Sequence, residues 1–342
     1  SEDGRPAPDS PVIDCHSWNT LDGTGRAKLI ENAATELRNQ GYVVLDSLLD
    51  PEGVREAGEH FRRYKTVSKP GVTFSRMRSL RDMTVPPFEG IWTEDWLVRH
   101  PLVMALVARH LRNSLDISNE KAAEMEFAHW IAMGGPMEYF LEQPRGSGFP
   151  LLDLLVVVDT PSKAPAQTRH RDTILPGPCA SLGIHIPLTP LQLEPLNGPI
   201  GFTPSSHRIL YHEGPKRDVV GACPLGSVIL YDSFIEHHGL ENLSAEPRAA
   251  LFAWYRVPGV YSGHTDENFG AAGLDLTMRF RRHIGERLSA AVAEQRAIRP
   301  PGGTGTGDAS WGFDASSELV EWGEERVCFR CNTTSGRGAH RH

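Results

Sequence analysis

The sequence has few cysteines, more acidic than basic side chains and no long apolar run. Nothing in it approaches the about 18 consecutive apolar residues that a membrane-spanning helix needs, so no membrane span is predicted. Five cysteines, an odd number scattered over 342 residues, predict no disulfide framework and a reducing, cytoplasmic location. The formal net charge of -8, from 43 acidic and 35 basic side chains, argues against a general nucleic-acid binder.

Two further absences narrow the expected class of protein. Neither a GxGxxG nor a GxxxxGK[ST] loop is present, so a nucleotide-binding α/β fold gains no support. The stretch Ser1–Ser10 is polar and lacks the apolar core of a secretory signal, while a targeting peptide ahead of Ser1 stays open. With 39% hydrophobic residues, the chain is expected to bury a sizeable core.

The first third of the chain predicts helices. Apolar residues recur at helical spacing over 25–41, where Gly41 ends the pattern, and again over 92–113. Pro51 favours the first turn of a further helix. A short strand, Tyr42–Leu45, is predicted between the first two helices.

The middle of the chain predicts strands instead. Five segments are rich in Val, Ile, Leu and aromatic residues, and Pro, Gly and Asn punctuate their connections. Several strands with long, irregular connections favour an antiparallel double-sheet barrel of the jelly-roll type over a βαβ repeat. The five segments are Phe127–Met133, Leu151–Asp159, Ser181–Leu188, Ser227–Asp232 and Ala249–Val257.

The whole chain is therefore predicted to be mostly β, with a jelly-roll, cupin-like core and flanking helices. A C-terminal extension is expected to hold a helix near 274–297, a Gly/Pro linker and a short tail with a lone Cys328/Cys331 pair. The predicted parts are a disordered lead at 1–20, one domain at 21–263 (helical part 21–120, jelly-roll core 121–263) and the extension at 264–342.

A histidine and an aspartate two residues apart follow the predicted strand at 151–159. His170 and Asp172 point the same way on an extended chain, because the side-chain period of a strand is two. His237, just past a later strand, offers a third ligand. Two imidazoles and one carboxylate on one face are the ligands of mononuclear non-haem iron(II) oxygenases, which keep positions open for a co-substrate and O2. The sequence therefore predicts an iron(II) site.

Arg248 follows His237 by eleven residues, at the start of the strand predicted at 249–257. A guanidinium inside a barrel is costly unless an anion meets it, and arginine binds carboxylates through two parallel hydrogen bonds. A dicarboxylate such as 2-oxoglutarate could contact the metal at one end and Arg248 at the other. Each residue alone is more often structural or on the surface, but their order on a strand-rich background is specific.

With these candidate ligands and five further segments, the sequence resembles the phytanoyl-CoA dioxygenase-like branch of the 2-oxoglutarate oxygenases. The resemblance runs from about residue 30 to about residue 260. It implies a double-stranded β-helix core, iron(II) bound by His170, Asp172 and His237, 2-oxoglutarate anchored by Arg248, and O2 as the oxidant. The segments that carry it are Asn39–Asp46, Asn197–Pro199, Thr203–Arg208, His237–Asn242 and Pro247–Arg248.

Two departures from the family pattern bear on the site. Ser205 stands where the family usually has glycine, and His185 stands where an aromatic residue is common. His237 and its neighbour His238 point to opposite faces of a strand, so only one can be a ligand. The family spacing to the following Asn and Arg favours His237.

Three further residues are candidate 2-oxoglutarate contacts. Gln167 is either such a contact or a structural residue that holds the turn before His170. His185 is either a pocket residue or a core histidine, and Gly239 follows the distal histidine pair. These alternatives stay open at the level of sequence.

The predicted activity is oxidation of a small-molecule substrate, by hydroxylation, desaturation or oxidative cyclisation, with release of succinate and CO2. Asp172 argues against the related halogenases, which lack this carboxylate. Specialised or amino-acid-derived metabolism is the expected setting, and the protein is expected to be a monomer or homodimer. Arg76, Arg78 and Arg81 are candidate contacts for an anionic group of the substrate. The alternatives are a lipid or acyl-CoA hydroxylase, a cupin-like zinc or iron isomerase or hydrolase, and a non-catalytic metal-binding jelly roll.

Overall fold

The computed structural model describes the parts of the chain that carry the fold and the candidate site. Predictions that lie outside these parts are the strand at 127–133, the helix near 274–297 and most of the extension at 264–342. The described residues are 10–67, 75–76, 81–94, 100–111, 151–172, 181–192, 194–208, 219–256, 279, 327–328 and 333–334.

Helix α1 (Gly23–Gln40) begins and ends at local sequence signals. The Asp22 carboxylate accepts a hydrogen bond of 2.7 Å from the Gly25 N–H and so caps the first turn. Gly41 has a φ of 82°, a left-handed conformation that suits glycine, and its N–H donates to the Leu37 carbonyl. The predicted apolar face is buried, through Leu29, Ala33, Ala34 and Leu37.

Helices α2 (Pro51–Val67) and α3 (Pro101–Leu111) both begin with a proline, which is suited to the first turn because its missing N–H is not needed there. Asp50 accepts a hydrogen bond from a first-turn N–H of α2. His100 Nδ1 accepts one from the Leu102 N–H at 3.2 Å. The helical character of the N-terminal third is confirmed, but the helix predicted over 92–113 is shorter and begins at Pro101, after a separate 3-10 turn at Gly90–Thr93. None of the helices in the described part of the chain has the length and apolarity to cross a membrane.

Two β-sheets form the core, and a separate hairpin lies in the predicted tail. The strands are β1 (Val12–Asp14), β2 (Tyr42–Asp46), β3 (Ser75–Arg76), β4 (Asp82–Thr84), β5 (Leu151–Thr160), β6 (Ser181–Pro187), β7 (Ile200–Phe202), β8 (Val219–Gly221), β9 (Val228–Asp232), β10 (His237–Gly239), β11 (Arg248–Arg256), β12 (Val327–Cys328) and β13 (Thr333–Thr334). Within the described ranges the larger sheet has the order β1-β2-β9-β6-β11-β5-β4-β3, and the smaller has the order β10-β7-β8. The predicted mostly-β class with a jelly-roll core is confirmed.

The first described residues correct the predicted disordered lead at 1–20. Strand β1 pairs in parallel with β2, with Val12 opposite Val44. Cys15 and Trp18 are buried in the core that follows. The signal is weak in sequence because the strand is only three residues long, so its stability comes from pairing with a distant segment and not from local pattern.

The central strands are buried on both faces. Helices α1 and α3 pack against strands β2, β6 and β9 on one side of the large sheet. The side chains of the other face line a cavity inside the barrel. Strands β6 and β9 are therefore buried along their whole length, although only β9 is apolar over most of its residues and β6 alternates apolar with small or polar side chains.

The short strand β10 brings the candidate site to the cavity. It pairs antiparallel with β7 on one side, where His237 lies opposite Phe202. On its other side, an isolated antiparallel bridge joins His237 to His170. The segment after β5 is thereby held beside the segment after β9.

Candidate metal centre and anion pocket

His170 and His237 are side by side because their backbones pair directly. The His170 N–H donates to the His237 carbonyl at 3.0 Å, and the His237 N–H donates to the His170 carbonyl at 2.9 Å. Their ring centroids are 4.6 Å apart. Residues 67 positions apart in sequence thus present two imidazoles to one point.

Asp172 completes the group. Its backbone N–H donates to the Ser233 carbonyl at 2.9 Å, which holds this stretch against the end of β9. Its Oδ1 atom lies 3.6 Å from His170 Nε2 and 3.4 Å from His237 Nε2. The three possible ligand atoms lie within 4.8 Å of one another, which suits a single metal ion.

Hydrogen bonds to the backbone orient both imidazoles. His170 Nδ1 lies 2.9 Å from the Thr168 carbonyl, and His237 Nδ1 lies 2.9 Å from the Ile235 carbonyl. A carbonyl oxygen only accepts, so each Nδ1 carries the proton and each Nε2 presents its lone pair to the metal position. This arrangement fixes the tautomer that a metal-binding histidine needs.

The choice between the adjacent histidines agrees with the family spacing. His237 faces Asp172, while His238 alternates to the opposite side of β10, and both are buried. Burial disfavours the charged form of His237, but Asp172 and the Ile235 carbonyl outweigh it and raise the pKa of His237. The carboxylate therefore attracts positive charge to this position.

The second oxygen of Asp172 has two hydrogen-bond donors of its own. The Tyr231 hydroxyl donates to Asp172 Oδ2 at 3.0 Å, and the Trp254 indole N–H donates to the same atom at 2.9 Å. Burial, and then Asp172, raise the pKa of Tyr231 well above its usual value, so this hydroxyl stays protonated. Neither Tyr231 nor Trp254 was predicted as a site residue, because an aromatic residue in a buried strand is expected to be a core residue.

Arg248 starts strand β11 and lies in the same cavity. The turn before it is held by Asn242, whose side-chain N–H groups donate to three backbone carbonyls at 2.9 to 3.1 Å. Asn242 is fully buried. Asn242, six residues before Arg248, thus holds the turn that leads into β11.

The Arg248 guanidinium is buried with most of its donors unmet. Nη2 donates to the Gly198 carbonyl, whereas Nε and Nη1 have no hydrogen-bond partner among the described residues. Burial and the nearby Arg81 lower the pKa of Arg248 to about 9. A buried cation with two unmet donor atoms calls for an anion.

The Asn197–Gly198 pair is shaped for this contact. Gly198 has a φ of 82°, a left-handed conformation, and a Cβ there would lie 3.1 Å from a Thr160 methyl carbon. The Asn197 side chain anchors the loop by donating to the Pro190 carbonyl at 2.7 Å. The segment that carried the family resemblance therefore orients the Gly198 carbonyl toward Arg248.

A cavity of about 120 Å³ joins the two groups. Its wall includes the metal-ligand candidates and Arg248, with apolar side chains between them. The remaining lining residues are Arg81, Met83, Val158, Gln167, Ile200, Tyr231, Gly239, Phe252 and Trp254.

Gln167, Gly239 and Arg81 form one cluster on the wall. Gln167 Oε1 accepts a hydrogen bond of 2.7 Å from the Gly239 N–H, which is a structural role of the kind considered for it. Arg81 donates to the Pro165 and Leu240 carbonyls at 3.0 and 2.7 Å. All three residues line the cavity. The contacts predicted for Gln167 and Gly239 with 2-oxoglutarate, and for Arg81 with the substrate, stay predictions.

The other predicted residues are less well placed. His185 is fully buried in β6, with its ring centroid 4.5 Å from that of Phe252, and it is not among the described lining residues of the cavity. Burial, and then Arg248, lower the pKa of His185 well below its usual value. Arg76 lies in strand β3, and Arg78 falls outside the described residues.

Ser205, the departure from the family's glycine, has a positive φ of 61°. Its backbone therefore adopts the left-handed conformation that glycine favours. The serine hydroxyl donates to the Asn39 carbonyl at 2.8 Å, and its N–H donates to the Gln40 carbonyl. These bonds hold the turn at Ser205 in its left-handed conformation.

The donor set fits iron(II). Two neutral imidazole nitrogens and one carboxylate oxygen on one face suit this ion, and the absence of thiolates from the group distinguishes it from a structural zinc site. The residues can therefore hold a metal that keeps open positions toward the cavity. They can also bring an anion bound at Arg248 into the same space.

No protein-family model and no curated protein matches the chain. Among solved structures, the epimerase SnoN in complex with Fe3+, alpha-ketoglutarate and nogalamycin RO is 18% identical, with a TM-score of 0.45 over 68% of this chain and 84% of that one. A second SnoN structure, of the non-haem alpha-ketoglutarate-dependent epimerase from nogalamycin biosynthesis, is 20% identical, with a TM-score of 0.46 over the same shares. AviO1 from Streptomyces viridochromogenes Tue57 is 15% identical, with a TM-score of 0.39 over 70% of this chain and 99% of that one. Such distant likenesses assign no reaction to this chain.

Proposed function

We propose that this chain is an iron(II)- and 2-oxoglutarate-dependent dioxygenase of the phytanoyl-CoA dioxygenase-like type. The observation that carries the proposal is one cavity with three metal-ligand atoms on its wall and the unmet guanidinium of Arg248 in the same space. A metal ion would occupy the position between the three ligand atoms, and a dicarboxylate co-substrate would accept hydrogen bonds from Arg248. A metal-binding protein without such a co-substrate would leave Arg248 without a purpose.

His170, Asp172 and His237 would hold iron(II) through two Nε2 atoms and Oδ1. Bound there, iron(II) supplies the O2-dependent chemistry that couples decarboxylation of 2-oxoglutarate, to succinate and CO2, with oxidation of a substrate. The chain's contribution is to keep all three ligand atoms on one face, so that the opposite positions face the cavity. The backbone-bonded Nδ1 atoms keep both imidazoles in the ligating tautomer.

Arg248 would hold the carboxylate of 2-oxoglutarate that lies farther from the metal. Its Nη2 already donates to the Gly198 carbonyl, and the unmet Nε and Nη1, which lie on different edges of the guanidinium, are available to donate to this carboxylate. The charge pair would form out of bulk water, where the attraction is stronger than at a surface. The arginine would thereby fix the direction in which the co-substrate reaches the metal.

Apolar side chains separate the two ends of the cavity. Val158, Ile200 and Phe252 are among the residues that line it. They exclude water from the space where substrate and co-substrate meet, which limits wasteful side reactions. Because Asp172 occupies a ligand position, we propose hydroxylation, desaturation or oxidative cyclisation as the outcome, on a small molecule of specialised or amino-acid-derived metabolism.

Succinate formation tests the proposal. Protein purified without oxygen is supplied with iron(II), 2-oxoglutarate and O2, with and without candidate small molecules and acyl-CoA esters, and succinate is measured. We expect succinate that depends on iron(II) and on O2, with stimulation by one substrate class. Failure to form succinate under all these conditions would refute the proposal, and iron binding then distinguishes a non-catalytic metal-binding protein from a chain that holds no metal.

The same experiment separates the alternative reactions. A cupin-like zinc or iron isomerase or hydrolase would convert substrate without consuming O2 or 2-oxoglutarate. A non-catalytic metal-binding protein would bind the ion and form no succinate. Stimulation by an acyl-CoA ester would identify the lipid branch of the same family.

A further inference from the structure

We propose that Tyr231, Trp254 and Gly183 form a carboxylate clamp, which holds one oxygen of Asp172 away from the metal position, aims the other oxygen at it and thereby sets metal affinity. The inference rests on the proposed function only in requiring a metal ion at Asp172 and its two histidines. It assigns these three residues a positioning role, since none of them is a ligand itself.

The first step is that the two oxygens of Asp172 have different partners. Oδ1 lies within 3.6 Å of both imidazole Nε2 atoms. Oδ2 accepts hydrogen bonds from the Tyr231 hydroxyl and the Trp254 indole, at 3.0 and 2.9 Å. The carboxylate therefore cannot turn out of this orientation without losing two buried, charge-assisted hydrogen bonds.

The second step is that this arrangement is specified by strand register. In the large sheet, Gly183 of β6 lies opposite Tyr231 of β9 on one side and opposite Trp254 of β11 on the other. The two donors thus occupy one row across three strands, with the glycine between them. Their hydroxyl and indole N–H converge on Asp172 from both sides of that gap.

The third step is the need for glycine at the centre of the row. A Cβ at position 183 would overlap the Tyr231 ring, at its Cζ and both Cε atoms. The ring therefore lies across the backbone of β6, which is how the hydroxyl reaches Asp172. A larger residue at 183 would displace the ring and open the clamp.

The clamp predicts a monodentate carboxylate that is aimed before the metal arrives. Trp254 Nε1 can only donate, so it always selects an acceptor at the Oδ2 position. Outer-shell partners of this kind orient metal ligands, and their loss typically weakens metal binding by about 10- to 100-fold. The geometry of the bound ion should change as well, because a released carboxylate can offer both oxygens.

The direct test measures metal binding in Tyr231→Phe, Trp254→Phe and the double variant. Cobalt(II) serves as the probe, titrated into the full chain, with its visible absorption reporting coordination geometry. We expect about 10- to 100-fold weaker binding in the double variant and a shifted absorption spectrum. The control is Tyr42→Phe, which removes the hydroxyl of a second buried tyrosine, one that lies opposite Tyr231 in the β2–β9 pair and stacks on Phe202.

A second test reverses the sign of the effect. In Asp172→Asn, the clamp donors should hold the amide oxygen at the Oδ2 position and turn the NH2 group toward the metal, so cobalt(II) binding should be nearly lost. Adding Tyr231→Phe and Trp254→Phe to Asp172→Asn lets the amide rotate and offer its oxygen. We therefore expect the triple variant to bind cobalt(II) more tightly than Asp172→Asn alone, a result that mere loss of packing cannot produce.

The outcomes separate the clamp from the proposed function. Wild-type protein that binds no metal would overturn the proposed function. Wild-type protein that binds cobalt(II), with unchanged affinity and spectrum in folded clamp variants, would overturn the clamp. If the double variant does not reach a native circular-dichroism spectrum, Trp254→Phe alone and the Asp172→Asn comparison with that single change decide the matter. Gly183→Ala should reproduce the weaker binding of Tyr231→Phe.

Discussion

The two ends of the cavity differ in how far the protein itself satisfies their polar groups. At the metal end (His170, Asp172 and His237), both imidazole Nδ1 atoms and Asp172 Oδ2 have hydrogen-bond partners. At the anion end (Arg248), two guanidinium nitrogens have no partner in the part of the chain that the structure describes, and neither has either ring nitrogen of His185, which lies behind the cavity lining. The metal end is organised in advance, whereas the anion end is incomplete until something binds.

This difference indicates where binding energy is gained. Preorganised ligands bind a metal without a further ordering cost, and their outer-shell bonds hold them in place. A buried guanidinium without an acceptor costs free energy in the empty protein, and an anion that meets it recovers this cost. The comparison therefore predicts a loss of metal affinity when a ligand is replaced, and opposite stability effects when an arginine with unmet donors and an arginine with satisfied donors are replaced.

The largest expected effect is at the metal end. His237→Ala removes one of three ligand atoms, so metal affinity should fall by more than the roughly 100-fold that outer-shell changes reach. Titration with iron(II) or cobalt(II) measures this. His238→Ala is the matched control, because its side chain lies on the other face of β10. Full metal affinity in His237→Ala would remove it from the ligand set.

The second effect contrasts two arginines on the cavity wall. Arg248→Met should weaken 2-oxoglutarate binding by about 30-fold or more, since losing one partner of a buried charge pair typically costs at least about 2 kcal/mol. In the protein without ligands, the same change should raise the free energy of unfolding by about 1 kcal/mol or more, because it removes unmet donors.

Arg81→Met is the control for Arg248→Met. It leaves the Pro165 and Leu240 carbonyls without a donor, so the free energy of unfolding should fall by about 1 to 3 kcal/mol. Urea unfolding and calorimetric titration with 2-oxoglutarate measure the two properties. Equal destabilisation by both changes would contradict the idea that the anion end is incomplete.

The third effect concerns the pH dependence of stability and His100, a buried histidine whose Nδ1 has a hydrogen-bond donor within the protein. His100 accepts a hydrogen bond from the Leu102 N–H, and burial, together with Arg26, lowers the pKa of His100 from 6.5 to about 4. Between these values the unfolded chain binds more protons than the folded one, so stability is lost as pH falls from 6.5 to 4. The full loss from this group is on the order of 3 kcal/mol.

His100→Asn tests this, because asparagine keeps a capping acceptor but does not titrate in this range. The loss of unfolding free energy between pH 6.5 and pH 4 should shrink and not vanish, since the lowered pKa of His185 acts in the same direction. Urea unfolding at several pH values without added metal gives the comparison. An unchanged slope in the variant would exclude His100 as a source of acid sensitivity.

The smallest effect is at the wall between the two ends. A Cβ at Gly239 would lie 2.6 Å from Gln167 Oε1, so Gly239→Ala must displace the acceptor of its own N–H. We expect a loss of about 1 kcal/mol in the free energy of unfolding. Gly23→Ala is the control, since a Cβ there meets nothing within 4 Å. An equal, negligible effect in both variants would show that Gln167 can move freely.

Local signals predicted much of the fold. Gly41 and the apolar spacing before it predicted the bounds of α1 to within a few residues, while the Asp22 cap that begins the helix was not predicted. The strands at 151–160 and 248–256 also follow the predicted segments closely. The prediction of a disordered lead was wrong for residues 12–14, because that strand is held by pairing with β2, which no local pattern encodes.

The candidate site was predictable only in part. His170 and Asp172 follow from a spacing of two, and His237 was favoured by its family spacing. Tyr231 and Trp254 were missed because their hydrogen bonds cross strands and their aromatic character already explained their burial. The structural role of Gln167 likewise depends on a partner 72 positions away.

The sequence by itself determined the helices, the strand-rich core and the identity of the three ligand candidates, because these depend on spacing and on neighbours along the chain. Only the tertiary structure decided that His170 pairs with His237 and that Asp172 is held by two aromatic donors. It also decided that Arg248 faces the same cavity with donors unmet. Such features arise from strand register and burial, which join residues far apart in sequence, and an unmet hydrogen bond can be recognised only when every neighbour is in place.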